Sequence, residues 1–405
     1  MDSLSAMNLA RERAGDPARA KLILALNSGS SSLKFGVYRI SSTQLQTLMS
    51  GEAQAVGTPA GRFEAFDAQQ QSVVERPLPM LTTQQALHEI ERLLEESRAG
   101  ALEGIGHRVV HGGPALRAPC IIDKQIIEQL QHARTFAPLH MPLALSVIDE
   151  TRMHFPDIPQ TACFDTGFHA QMPAVASVLA LPQELRVQGV QRYGFHGLSC
   201  QSIVRRFGPD LPRRLIIAHL GNGASITAVL DGQSVDTSMG LTPSGGMIMS
   251  TRTGDMDPGV LIYLMREQGL DAAALETVVS RRSGLLGISG LSGDMRALRN
   301  ASLYQADARL AVQMFCYCAC KQIAAMMAVL GGIDSLVFTG GIGENDAQTR
   351  AQICEGLQWT GLVLDNELNQ ASQPLISTSE STCTVQVFPS QEDEEIARHT
   401  WQLLH

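Results

Sequence analysis

"LALNSGSSSLKFGVY", residues 24–38, breaks a run of strand-forming aliphatics into an asparagine, a glycine and four serines, then resumes as a strand after Lys34. A tight β-hairpin closes with about two to five residues, often Asn-Gly or Asp-Gly. The segment from Asn27 to Ser32 reads as longer than that, and is almost wholly small or hydroxyl-bearing. Such a loop can bring backbone N–H groups and hydroxyls up to a multiply charged anion. Taken alone it is open to two readings: a phosphate loop or, the commoner case, a serine-rich turn without a ligand.

A second stretch echoes the first. "IIAHLGNGASITAVLDG", residues 216–232, again sets a glycine and small polar residues between two β-runs, and ends in a hairpin signal at Asp231-Gly232. Two copies, each opening one half of the chain, point to two related domains. A third glycine loop, "SLVFTGGIGEND" at 335–346, follows an apolar strand and leads into a helical pattern, an arrangement suited to an anion or nucleotide. Neither G-x-x-x-x-G-K-[ST] nor G-x-G-x-x-G occurs, so a P-loop and a dinucleotide fingerprint are both unsupported. Two β-turn-β phosphate loops and one adenosine-side loop form the pattern of the actin-like ATPases, whose two domains close on a nucleotide from opposite sides. The fold class expected is therefore α/β, a two-domain actin-like ATPase (ASKHA, ribonuclease H-like) fold with duplicated β-turn-β phosphate loops.

Composition agrees with an enzyme of this class. The 405 residues exceed one ordinary core, and 44% hydrophobic with 18% charged residues describes a folded chain. The net charge of −9 and the lack of a basic run argue against nucleic acid and against an anionic membrane surface. The eight cysteines form no C-x-x-C pair, which reads as reduced thiols in a cytoplasmic protein. "CYCAC" at 316–320 lies among Met314, Phe315, Ala319 and Ala324 and reads as a packed helix rather than a metal site. Residues 1–21 lack the apolar core of a signal peptide and read as a disordered extension. The apolar stretch 310–330 is interrupted by Gln313, Lys321 and Gln322, as in a core helix rather than a membrane span. Amphipathic spacing of Leu87, Ile90, Leu93 and Leu94 predicts a helix over 83–98, with further helices at 123–133 and 143–153.

Phosphoryl transfer needs cations and donors around the moving group, a metal held by oxygens, and in-line positioning. Arg108 and His111 in "GHRVVHGG", Asp165 and His169 in "FDTGFHAQMP", His196 in "RYGFHGLS" and Arg252 in "TRTGDMDPG" all fall at predicted strand ends and loops. Any one of these histidines is ordinarily a hydrogen-bonded structural residue, and either arginine a surface ion pair. Their joint occurrence beside Gly, Pro and Asp in loops is what suggests chemistry. His107 and His111 have the H-x-x-x-H spacing, but Arg108 replaces the glutamate of a metalloprotease motif.

Those segments, with "NSGSSSLKF", "HLGNGAS", "DTSMGLTP", "SGLLGISGLSGDMR" and "VFTGGIGEN", resemble the successive motifs of the acetate kinase family, in order. The likeness runs from residue 22 to about 345, with a last match near 392. It implies reversible, Mg²⁺-dependent transfer of phosphoryl from ATP to acetate, with Mn²⁺ as an alternative ion and a homodimer as the usual state. Domains are expected at 22–165 plus about 386–405, and at about 166–385, the latter carrying the adenosine site. The resemblance implies Asn27, Ser30, Ser32, Asp165 and Glu392 around the metal, with Lys34 adding charge to the first loop. Arg108 and Arg252 would clamp the carboxylate and the moving phosphoryl, His196 would donate to its equatorial oxygens, and His140 would lie nearby. His219, Asn222 and Gly223 would face the phosphates. Asp294, Met295, Arg296, Gly341, Ile342 and Asn345 would enclose adenosine. Val110, Leu139, Phe195 and Pro243 would hold the methyl of acetate.

The chain departs from the family pattern at Met141 (usually "HNP"), at Leu198–Cys200 (usually "HGTSH"), at Gly245 (usually "LTPLEG") and at "SQEDEE" for "TNEE". These changes bear on acyl-chain preference and on the choice of Glu392 over its acidic neighbours. Two other functions fit the same sequence: a propionate kinase, and an actin-like nucleotide switch that forms no acyl phosphate.

Overall fold

Thirteen strands, β1 to β13, form two sheets in the computed structural model, which describes residues 20–29, 32–79, 81–97 and 100–405. The expected N-terminal extension and Ser30 of the expected metal set therefore lie outside the described residues, apart from Ala20 and Lys21. The first sheet runs β5-β4-β3-β2-β1-β6-β8-β7 and the second β11-β10-β9-β12-β13.

The opening stretch becomes β1 (Lys21–Ser28) and β2 (Leu33–Ile40), paired antiparallel from Lys21↔Ile40 to Ser28↔Leu33. The ladder thus persists to Ser28↔Leu33, further into the serine-rich stretch than the sequence alone indicates. β2 continues antiparallel to β3 (Leu45–Gln54), while β6 (Leu102–Val109) lies parallel beside β1 and β8 (Gln160–Phe164) parallel beside β6. The second sheet repeats this plan. β9 (Arg214–Leu220), β10 (Ala224–Leu230) and β11 (Gln233–Thr237) are antiparallel neighbours, and β12 (Ser335–Thr339) and β13 (Thr384–Val387) extend β9 in parallel. The sequence echo is therefore a topological one. Strands β4 (Arg62–Asp67), β5 (Ser72–Pro77) and β7 (Cys120–Ile121) are additions to the first sheet. The hairpin at Asp231-Gly232 is a two-residue turn with both φ positive, 48° and 80°, the conformation that joins twisted strands.

The chain forms two compact units, one ending at Gly167 and rejoined by Gln391–His405, the other spanning Phe168–Ser390. In the first unit, strand alternation splits β1 between two faces. Leu22, Leu24 and Leu26 join Leu87, Ile90 and Leu94 of helix Thr83–Ser97 in one buried cluster. Helix Glu392–Leu404 packs against β1 and β6, and Gly104 and Gly106 of β6 permit its approach. A Cβ at Gly106 would stand 2.2 Å from Thr400 Oγ1 and 2.5 Å from Ile396 Cγ2. In the second unit, helix Ala306–Leu330 packs on β9 and β10. It is long and apolar enough to cross a membrane, but Ala308, Ala311, Val312, Phe315, Ala319 and Ile323 are buried in the protein. All eight cysteines are free thiols, and burial pushes the Cys316 thiol up to about 11, the behaviour of a packed residue.

Candidate active site

The carboxyl ends of β1, β6 and β8 bring Asn27, Arg108 and Asp165 together. Arg108 donates from Nε to Asp165 Oδ1 at 2.9 Å and from Nη2 to Oδ2 at 2.6 Å, a two-pronged contact suited to guanidinium. Its Nη1 donates to Asn27 Oδ1 at 3.1 Å, so two of the five guanidinium N–H groups remain for a ligand. Asn27 Nδ2 in turn donates to Glu392 Oε2 at 3.1 Å and to Asp393 Oδ1 at 3.0 Å. These two acids stand in the first turn of helix Glu392–Leu404, where the dipole favours negative charge.

Three carboxylates thus share one guanidinium. Burial pushes the Asp165 carboxyl up, as does the charge of Glu392, against the pull of Arg108. Burial likewise raises Asp393, assisted by Glu392 and opposed by Asn27, Lys34 and Arg108. Burial opposes the charge on Arg108, but Asp165 and Glu392 outweigh it and raise its pKa, so this arginine stays charged. Lys34 lies opposite Asn27 in the β1–β2 ladder, which explains its influence on Asp393. The Ser32 backbone carbonyl closes the turn by accepting from Gly29 N at 2.8 Å. His140 immediately precedes helix Met141–His154. Val110 is buried and Leu139 half-buried.

Asp393 is the residue that sequence reasoning missed. Its signal was present in the unbroken acids of "SQEDEE", but only the bonds to Asn27 separate Glu392 and Asp393 from Glu394 and Glu395. His107 and His111 do not form a ligand pair. His107 Nε2 bonds Gln160 Oε1 at 2.8 Å and burial lowers its pKa to about 4, while His111 Nδ1 accepts from Gly113 N.

In the second unit, the loop between β9 and β10 gathers another group. His196 precedes helix Gly197–Phe207 with φ 57°, a left-handed conformation uncommon for a residue with a side chain. Its Nδ1 bonds Ser225 Oγ at 2.9 Å, and its ring stacks on His219 with centroids 4.1 Å apart. His219 Nδ1 bonds Ser199 Oγ at 2.8 Å, and that hydroxyl accepts from Ser390 at 3.0 Å. When Ser225 donates to Nδ1, the proton of the neutral His196 ring resides on Nε2.

That Nε2 faces Gly223. A Cβ at Gly223 would lie 3.0 Å from His196 Nε2 and 3.5 Å from Arg252 Nη1, so only a glycine lets the two side chains come this close to the loop. Arg252 Nη1 is anchored to Pro243 O at 3.1 Å. Asn222 accepts from Ser250 Oγ at 3.2 Å, and Ser250 lies beside Gly293, which connects the β9–β10 loop to the segment holding Asp294, Met295 and Arg296. Asp294 caps that helix and pairs with the exposed Arg296, whereas Met295 is buried. Gly341 N would lie 3.8 Å from a Cβ at Gly221, and Asn345 Nδ2 donates to Gly341 O; Ile342 belongs to the same short helix, Gly340–Asn345. Phe195 is buried, and its carbonyl bonds His169 Nε2 at 2.9 Å, so His169 has a structural role in shaping the His196 loop. Of the four residues expected around a methyl group, Val110 and Leu139 belong to the first unit and Phe195 and Pro243 to the second.

The chain belongs to the acetokinase family, whose model matches residues 22–398. It is 39% identical over 402 residues to acetate kinase of Methylocella silvestris, covering 95% of this chain and 98% of that one. Among solved structures it resembles a propionate kinase from Francisella tularensis, with a TM-score of 0.88, 35% identity, and coverage of 95% of this chain and 100% of that one. It also resembles acetate kinase of Porphyromonas gingivalis, with a TM-score of 0.82, 35% identity and the same coverage. The two sheets are thus those of an actin-like ATPase fold, and the family uses ATP as co-substrate.

Proposed function

We propose that this member of the acetokinase family is an acetate kinase that transfers the γ-phosphoryl group of ATP reversibly to acetate. The observation that carries the reading is the gathering of His196, His219 and Arg252 around Gly223, a glycine of the β9–β10 loop. Imidazole and guanidinium groups around a glycine of such a loop suit the oxygens of a phosphoryl group in flight. A nucleotide switch has no use for them. An acetate oxygen attacks the γ-phosphorus, the bond to the β–γ bridging oxygen breaks, and ADP leaves with those electrons. Arg108, with two donors to spare, is assigned to the carboxylate; Val110 and Leu139 of the first unit, and Phe195 and Pro243 of the second, are the apolar residues assigned to its methyl. His219, Asn222 and Gly223 take the ATP phosphates, and Asp294, Met295, Arg296, Gly341, Ile342 and Asn345 take the adenosine in the second unit.

Asp165, Glu392, Asp393 and Asn27 fit a hard divalent cation. They are oxygen donors, they carry more negative charge than Arg108 balances, and burial raises two of the acids. Mg²⁺ held there, or Mn²⁺ in its place, would neutralise charge on the β- and γ-phosphates. We also assign a homodimer and a cytoplasmic location. Leu310, Met314 and Tyr317 form an exposed apolar stripe along one helix, and the free thiols suit a reducing compartment.

The test is acyl phosphate formation from ATP and Mg²⁺, trapped with hydroxylamine, in parallel with acetate, propionate and butyrate. Product strongest with acetate is expected. A propionate maximum would keep the mechanism and overturn the substrate; ATP loss indifferent to every acid would overturn both.

A further inference from the structure

A separate set of donors lies on the first unit, where helix Thr83–Ser97 packs on helix Met141–His154. His88 and Glu91 stand one turn apart on the first helix, and His154 ends the second. His154 Nε2 lies 2.8 Å from Glu91 Oε2, and His88 Nδ1 lies 3.6 Å from the same oxygen. One ligand atom from each residue lies within 4.8 Å of the other two. A tetrahedral ion bound at about 2.0–2.1 Å needs donors roughly 3.4 Å apart, and the two measured separations straddle that value. His154 is steadied by an edge-on contact with Phe155, ring centroids 4.7 Å apart, while His88 is exposed and can turn inward.

We propose that His88, Glu91 and His154 form a site for a first-row transition ion of the zinc class, with the fourth position open to water. Two imidazoles and one carboxylate suit such an ion and not Mg²⁺ or Ca²⁺, which prefer oxygen alone. The neighbouring arginines do not compete: Arg76 pairs with Glu89, and Arg92 with Glu89 and Glu96. Glu91 has no arginine or lysine partner among the described residues. The last turn of helix Met141–His154 also presents the negative end of its dipole, which favours a cation. A bound ion would pin the two helices and stabilise the first unit. The triad is hidden in the sequence because His154 is far from Glu91 along the chain and joins it only through helix packing.

The test uses the full chain, freed of metal by chelation and kept in saturating Mg²⁺ so that the acidic cluster is occupied. Co²⁺ titration should give one equivalent of a tetrahedral absorption spectrum without a thiolate charge-transfer band. Zn²⁺ should raise the melting temperature. His88→Ala, at an exposed position, and Glu91→Gln should each weaken binding by about 10-fold or more, since even outer-shell changes cost that much. No Co²⁺ bound, a thiolate band, or binding indifferent to both substitutions would overturn the site and leave a simple His–Glu ion pair.

Discussion

The same strand plan ends in opposite chemistry in the two units. At the carboxyl ends of β1, β6 and β8 stand three carboxylates and one arginine; at those of β9 and β12 stand paired histidines, glycines and the start of a helix. We assign a cation to one end and anions to the other, although the five core strands follow one order in both sheets. Topology supplies the crevice at strand ends, and the few residues placed there decide which charge it receives.

The sharpest way to break this contrast is Arg108→Ala. Charge-assisted hydrogen bonds are worth about 1.5–3 kcal/mol each, so loss of a clamp making several should lower turnover by about 100-fold or more. ATP affinity, assigned to the second unit, should stay within about 3-fold, because no nucleotide contact is removed. Steady-state kinetics and calorimetry would separate the two, and a melting curve would control for the buried Asp165 left unpaired. Next is Gly223→Ala, whose new methyl would displace His196 and lower kcat by about 10- to 100-fold, the scale of a lost transition-state donor. Unchanged kcat in that variant would remove the contact of His196 with the β9–β10 loop from the mechanism.

A smaller effect concerns substrate choice. Val110→Ala should shift the propionate-to-acetate ratio of kcat/KM by about 10-fold toward propionate, the worth of one methylene. The first unit should also betray its crowded acids through pH. Burial raises Asp393 above its ordinary 3.8, so the folded state binds this proton more tightly than the unfolded chain does. In Mg²⁺-free buffer its contribution to stability is therefore greatest below pH 3.8 and declines as pH rises through the raised folded value. The melting temperature of Asp393→Asn minus that of the parent should become more positive across that rise, and a flat difference would show no such strain. Smallest of all is Arg296→Ala: this exposed side chain is one of several residues assigned to adenosine and holds a screened surface pair, so KM for ATP should rise by only about 2- to 3-fold.

Much of this contrast is legible in the sequence. The hairpin-like repeats around Asn27 and Asn222 reveal the duplication because period-2 apolar runs and small-residue turns are local signals. Arg108, Asp165, His196 and Arg252 are recognisable from their motifs. Long-range geometry is not legible in the same way. Asp393 is one acid among four until Asn27 bonds it, and the reach of the ladder to Ser28 rests on pairing with Leu33 that serine content does not reveal. Likewise His169 carries a motif position but is used to hold the Phe195 carbonyl, a role visible only once the loop is folded.

Mg²⁺ dependence of acyl phosphate formation, compared between Glu392→Gln and His196→Ala, tests the division between the two strand ends. Glu392→Gln should raise the Mg²⁺ concentration for half-maximal rate by about 10-fold, as loss of a charged oxygen ligand does. His196→Ala should leave that concentration unchanged and lower the plateau. Equal shifts in both variants, or none in Glu392→Gln, would contradict the assignment of cation and anion to separate units.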